Sequence, residues 1–268
     1  MKHRPYILIT NDDGIYAPGI KHLRNALSTI ADVIVVAPAS EQSAVSLSIT
    51  IRSPLRIEKV DWPWANGAEI FSINGTPADC VKLALNIILS RPPDLIVSGI
   101  NRGSNAGRNV LYSGTVAAII EGVLHDVPGI AFSIADFFNP HYANTERYIP
   151  QIVEYVLEHP LPSGTFLNVN FPREVKTEIK GIRFTKQGKE YWTENPEERH
   201  HPTGGNAYYW LGAKLAEFDE EEDSDINLLR QGYATAVPIH IDNLTDHRVI
   251  HEKRNHFEAS VNKTFFTT

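Results

Sequence analysis

The sequence predicts a doubly wound α/β protein: a mostly parallel sheet followed by a β-rich C-terminal extension. Three observations carry that expectation. Short, continuous apolar runs of strand length recur through residues 1–172, as strands buried on both faces require. Successive runs are mostly separated by segments whose apolar residues return at helical spacing. Beyond residue 172 the alternation fades into short strand candidates among polar residues.

The elements follow in order. Tyr6-Ile7-Leu8-Ile9-Thr10 reads as the first strand, and Ile20, Leu23, Leu27 and Ile30 mark a helix after Ala17-Pro18-Gly19. Val33-Ile34-Val35-Val36-Ala37 is a second strand, ended by Pro38. Segments 48–60 and 69–73 read as strands forming an excursion from the main sheet. Thr76-Pro77-Ala78-Asp79 starts a helix, with Thr as cap, Pro at the first position and Asp in the first turn. That helix runs on through Val81, Leu83, Leu85 and Ile88. Asp94-Leu95-Ile96-Val97-Ser98 is a third strand, followed by a Gly/Asn-rich loop. Gly114-Thr115 opens a helix with Val116, Ile119, Ile120 and Leu124 on one face. Gly129-Ile130-Ala131-Phe132-Ser133 and Phe166-Leu167-Asn168-Val169-Asn170 give two further strands. Between them a helix over 148–157 holds Pro150 in its first turn, where a missing N–H costs nothing.

The chain therefore divides into a core over 1–172 and an extension over 173–268, the latter suited to subunit contact. Within the extension, 180–215 includes the aromatic Tyr208-Tyr209-Trp210. Seven acidic residues between 217 and 225 read as a solvated loop whose last Asp caps a short helix over 226–230, closed by Gly232. The last clear strand is 234–241.

Composition narrows the function. Lys plus Arg 25 against Asp plus Glu 32 leaves a net charge of −7, which argues against a nucleic-acid polymer as partner. An anionic substrate then needs a local device: a metal ion, a helix N-terminus or a few placed cations. The single cysteine, Cys80, excludes an internal disulfide framework and a Cys-based zinc site; its apolar neighbours predict burial. The first apolar run is too short for a signal-peptide core, and no stretch has the length of a membrane span. A soluble, cytoplasmic protein is expected. The eleven histidines show no metal-binding spacing; His240 is expected in the core and His200-His201 at the surface.

Four polar loops follow the strands on one edge of the sheet, where open α/β sheets bind ligands. They hold Asn11-Asp12-Asp13-Gly14, then Ser40 to Ser43, then the stretch from Asn101 and Gly103 to Gly107, and lastly Ser113-Gly114-Thr115. Two carboxylates, an amide oxygen and a hydroxyl are hard donors suited to Mg²⁺, Mn²⁺ or Ca²⁺. The glycines of 103–107 let backbone N–H groups approach an anion, and Ser113-Gly114-Thr115 sits at a helix N-terminus. Together these point to metal-assisted attack on a phosphorus atom. A non-catalytic nucleotide-binding regulator and a sugar-nucleotide transferase fit the same residues.

With these loops assembled, the chain resembles the SurE family of stationary-phase survival proteins, the 5′/3′-nucleotidases. The resemblance rests on Thr10-Asn11-Asp12-Asp13-Gly14 with Ala17-Pro18-Gly19-Ile20, and on Val35-Val36-Ala37-Pro38 with Ser43. It continues through Gly75-Thr76-Pro77-Ala78-Asp79-Cys80-Val81 and Val97-Ser98-Gly99-Ile100-Asn101-Arg102-Gly103. Tyr112-Ser113-Gly114-Thr115-Val116, and Gly232-Tyr233 with Pro238-Ile239-His240, complete it. At 45–48 the chain reads Val-Ser-Leu-Ser, where many members carry a Gly followed by His or Asn before the Ser. The resemblance implies a Rossmann-like core and an extension exchanged in a homodimer or homotetramer. It implies one divalent cation, Mg²⁺ or Mn²⁺, on Asp12, Asp13, Ser43 and Asn101. The implied reaction is hydrolysis of nucleoside 5′- and 3′-monophosphates, with broader phosphatase or short-chain exopolyphosphatase activity. Asp12 and Asp13 would act in catalysis, and Asn11, Asn101, Gly103, Ser113, Gly114 and Thr115 would hold the phosphate.

Overall fold

The computed structural model describes residues 4–62, 65, 67–173 and 178–265. The chain begins with β1 (Tyr6–Thr10), α1 (Pro18–Leu27), β2 (Asp32–Pro38), β3 (Ile57–Lys59) and β4 (Glu69–Ile73). It continues through α2 (Pro77–Leu83), β5 (Leu95–Arg102), α3 (Gly114–Val123), β6 (Gly129–Ile134), α4 (Tyr142–Glu146), α5 (Ile149–Glu158) and β7 (Thr165–Phe171). The extension adds β8 (Ile182–Phe184), β9 (Tyr191–Thr193), β10 (Glu197–His200), β11 (Ala207–Trp210) and β12 (Lys214–Ala216). Then come α6 (Asp225–Arg230), β13 (Ala234–His240) and α7 (His247–Phe265).

Nine strands form one sheet in the order β3-β4-β2-β1-β5-β6-β7-β13-β8. It is parallel except where β3 meets β4 and β13 meets β7. Alternation along each strand sends side chains into two cores. Ile7, Ile9, Val35, Val97 and Phe132 pack on the side of α1 and α5; Leu8, Val36, Ile96 and Ala131 pack on the side of α2 and α3. From β1 the strand order runs outward to β2, then returns to β5 on the other flank. That reversal opens a crevice at the carboxyl ends of β1 and β5, the position where such sheets hold ligands.

The Thr76 start is a full capping box: its hydroxyl accepts from the Asp79 N–H while the Asp79 carboxylate accepts from the Thr76 N–H. The helix widens into a π-type turn over Ala84–Ile88, covering the span the periodicity predicts. Cys80 is buried, as expected.

Several expectations are corrected. Segments 48–60 and 69–73 leave no excursion: only 57–59 and 69–73 are strands, and both extend the edge of the main sheet beside β2. Ser224, not Asp225, caps α6, accepting from the Asn227 N–H at 3.3 Å. Asp225 is buried instead, its two carboxylate oxygens taking the N–H groups of Gly107 (2.9 Å) and Gly188 (2.7 Å). His240 is half-buried at the sheet rim, its Nδ1 accepting from the Asp242 N–H. The helices α4 and α7 have no counterpart in the periodicity reading.

One packing contact fixes how β5 presents the site. Gly19 in α1 lies so close to β5 that a Cβ there would sit 2.0 Å from the Ile100 carbonyl oxygen. Gly19→Ala is therefore expected to destabilise by about 3 kcal/mol through overpacking. Ala is otherwise the better helix former, so the sign alone is diagnostic. Chemical denaturation of both proteins checks it.

Candidate functional site

The turn after β1 is stitched to the segment after β2. Gly14 has φ +97°, the Ile15 N–H donates to the Pro38 carbonyl at 2.8 Å, and the Gln42 N–H donates to the Asp12 carbonyl at 2.7 Å. This sets Gln42, the neighbour of Ser43, against the backbone of Asp12, thirty residues earlier in the chain. Ser43 is exposed, and its hydroxyl donates to Glu41 Oε1 at 2.6 Å.

Asp12 is only 6 % exposed and faces the N-terminus of α3. The Thr115 hydroxyl donates to its Oδ1 at 2.5 Å. Gly114 makes the approach possible: a Cβ there would lie 2.8 Å from the Asp12 Cβ. Burial pushes the Asp12 carboxyl up to about 7, Asp13 adds to the rise, and the Thr115 hydroxyl and N–H oppose it. Asp13 is half-buried, and its Oδ2 accepts from the Arg102 N–H at 3.1 Å. Burial raises its carboxyl too, against the Arg102 N–H and guanidinium.

Asn101 comes not from a loop but from the end of β5, which runs past the shift in register between Ser98 and Asn101. Its Nδ2 donates to the Gly103 carbonyl at 2.8 Å, so the oxygen is the atom left for a ligand. Asn11 is fully buried: Nδ2 donates to the Gly14 carbonyl, and Oδ1 has no partner. This buried, orphaned carbonyl, next in sequence to the Asp pair, is a group that a cation or an ordered water would satisfy. Among the described residues, no group of three or more His, Cys, Asp and Glu could hold a metal. A cation here would need the amide and hydroxyl oxygens of Asn101 and Ser43 besides the Asp pair.

The Gly-rich stretch is not the open anion nest that its glycines suggest. The Gly103 N–H donates to the Ile134 carbonyl, Asn105 to Asn170 Oδ1, Ala106 to Ser104 Oγ and Gly107 to Asp225. Its glycines turn the chain, with φ +111° at Gly103 and +58° at Gly107. Asn168, Asn170 and Ser133 hold it from below, through Asn105. The donors of Asn11 and Thr115 are likewise committed, to Gly14 and Asp12. Of the six expected phosphate contacts, Ser113 and Gly114 remain as the set able to face an anion, since the Asn101 amide N–H is committed to Gly103. Ser113 accepts from the Val116 N–H as helix cap, which leaves its hydroxyl proton to give.

Two neighbours, one of them inside a motif, are assigned no role from the sequence. Arg102 lies 3.6 Å from Glu41 and stacks over Phe137, 4.7 Å from the ring centroid. Tyr142, buried in α4, feels the charges of Asp13 and Arg102, and its phenol is pushed up chiefly by burial. Tyr142 lies in a polar stretch without periodicity, so nothing local marks it.

The fold defines a doubly wound α/β protein with carboxylate and amide side chains at its topological switch point. Residues 7–194 match the family model described as survival protein SurE, so the chain belongs to the SurE family. A protein of Protochlamydia amoebophila named 5′-nucleotidase SurE is 62 % identical over 262 residues, covering 98 % of this chain and all of the relative. A protein of Christiangramia forsetii with the same name is 45 % identical over 250 residues, covering 93 % and 95 %. The crystal structure of the SurE protein from Aquifex aeolicus superposes with a TM-score of 0.80 at 38 % identity, covering 94 % of this chain and all of that one.

Proposed function

We propose that this chain is a metal-dependent phosphomonoesterase that hydrolyses nucleoside 5′- and 3′-monophosphates to nucleoside and phosphate. The observation that carries the reading is the buried Asp12 carboxylate, set against the α3 N-terminus with Asp13 next to it in sequence. Relatives named 5′-nucleotidase SurE along essentially the whole chain support the substrate class.

Asp12, Asp13, Ser43 and Asn101 would hold the cation, Mg²⁺ or Mn²⁺ by donor type. When bound, it supplies Lewis-acid polarisation and a more acidic water. The chain's own residues do the rest. Ser113 and Gly114 orient the phosphoryl oxygens, and α3 turns its positive end toward the charge. An Asp of the Asp12–Asp13 pair, ionised when the cation is held, takes part in ligation and in removing a proton. Ser43 joins by turning its hydroxyl from Glu41. The extension over 173–268, with exposed Trp192, Tyr208, Tyr209 and Trp210, would form the subunit contacts of a dimer or tetramer. Among the described residues, no helix is long and apolar enough to cross a membrane.

The direct test is phosphate release from AMP. Release is expected with added Mn²⁺ and none with chelator; equal release in both would refute metal dependence, and none in either would favour a binding-only regulator.

The same carboxyl sets a pH dependence. Cation binding needs the ionised Asp12, so below about 7 each bound ion displaces a proton and affinity is expected to drop roughly tenfold per pH unit. In the cation-free protein the folded-state value lies above the ordinary carboxyl value of 3.8. The unfolded chain therefore loses its proton first, and stability falls as pH rises from about 4 through about 7. The gap in melting temperature between Mn²⁺ and chelator should widen from pH 6 to pH 8. A gap independent of pH would remove Asp12 from the ligand set.

A further inference from the structure

We infer that Phe137 and Phe138, on the loop after β6, form the stacking surface for the nucleobase and so determine preference for nucleotides over base-free phosphate esters. The inference rests on the phosphomonoesterase reading and extends it to the part of the substrate farthest from the reaction.

A chain of contacts links the pair to the acidic centre. Asp13 accepts from the Arg102 N–H at 3.1 Å, and the Arg102 guanidinium lies over the Phe137 ring. Phe137 also covers Gly103: a Cβ on that glycine would meet Phe137 Cδ2 at 3.5 Å. Phe138 stands edge-on to Phe137, centroids 5.4 Å apart and planes at 85°. The rings thus begin beside Gly103, just past the strand end that carries Asn101.

The exposure of these rings is not incidental looseness. Phe138 is 85 % exposed and Phe137 49 %, although the turn that carries them is held in place. Asp136 Oδ1 accepts from the N–H groups of both Phe138 and Asn139 at 3.0 Å. A large apolar ring fixed in water by its backbone has stacking area to give at small entropic cost. A base has a π-face whatever its identity, so such a surface suits several nucleotides equally. The Arg102 cation behind Phe137 adds attraction for the rim of a stacked heterocycle and for phosphate charge alike.

Ribose 5-phosphate differs from AMP only by the base, which makes it the control. In the wild-type protein with Mn²⁺, KM for AMP is expected to be roughly tenfold below that for ribose 5-phosphate. Phe138→Ala should raise KM for AMP about fivefold to tenfold, with kcat and all constants for ribose 5-phosphate within about twofold. Phe137→Leu, which keeps apolar cover over Gly103, should shift the same constant in the same direction. Unchanged AMP constants in both variants would overturn the inference. So would parallel losses on the two substrates, or a change of oligomeric state in Phe138→Ala, which would mark a subunit contact. If Tyr16→Ala or Tyr112→Ala alone shifts the AMP preference, the base lies elsewhere. Equilibrium dialysis of adenosine, which has no phosphate, judges the stack independently of turnover. Weaker adenosine binding by Phe138→Ala supports it even if AMP is not hydrolysed, and equal binding removes it.

Discussion

Asp12→Asn should reduce kcat/KM for AMP by ~10³-fold or more, a loss of about 4 kcal/mol in transition-state stabilisation. The amide matches the carboxylate in shape, so the Thr115 hydroxyl keeps an oxygen to donate to. What disappears is the charge that ligates a cation and the basicity that accepts a proton. Stability should move the other way. A carboxylate held at 6 % exposure with its carboxyl pushed up to about 7 is costly to ionise, so at pH 8 without metal the variant should be more stable by about 2 kcal/mol. Loss of activity together with a higher melting temperature in chelator separates a functional carboxylate from a structural one. A variant that keeps wild-type metal-dependent turnover would sink the assignment.

The second large effect is expected at Gly114, a residue with no side chain to do chemistry. Its backbone lies against Asp12, where an added Cβ would be 2.8 Å from the Asp12 Cβ and 3.0 Å from Oδ2. Contacts that short force one partner to shift. Gly114→Ala should thus move the carboxylate off the α3 N-terminus and cost about 10²-fold in kcat/KM, the scale of a misplacement of about an ångström. Ala at the first turn of a helix is otherwise favourable, so helix propensity predicts no loss. Steady-state kinetics with denaturant melts resolves the two; a fully active, stabilised variant would mean that Asp12 need not touch α3.

The parts legible in the sequence are those where one local signal coincides with one structural demand. The runs at 6–10 and 33–37 are buried on both faces, and Thr76 with Asp79 makes the capping box its spacing announces. The Asp pair also reads directly, because carboxylates at a strand end have no reason to serve a core. What escaped depends on partners distant in sequence. The stretch 103–107 looks like an anion nest until Ile134, Asn170 and Asp225 are seen to take the N–H groups of Gly103, Asn105 and Gly107. Asn101 reads as a loop residue because Gly99 interrupts the apolar run, yet β5 continues beyond it. The strands at 57–59 and 182–184 are three residues each and exposed throughout, too short to show a period. Polar residues replace apolar ones along the α3 side of the sheet, at Thr10, Ser98, Ser133, Asn168 and Asn170. This row beneath the site becomes visible only once the strands are in register.

The central claim is that oxygen atoms from the ends of β1 and β5 and from the segment after β2 close on a single hard cation. Manganese-soaked crystals, read by anomalous scattering, test it most directly. One Mn²⁺ peak should appear, bonded to Asp12, Asp13 and Asn101, with the Ser43 hydroxyl turned from Glu41 to meet it. Crystals in which manganese binds elsewhere, or leaves these four side chains apart, would contradict the account.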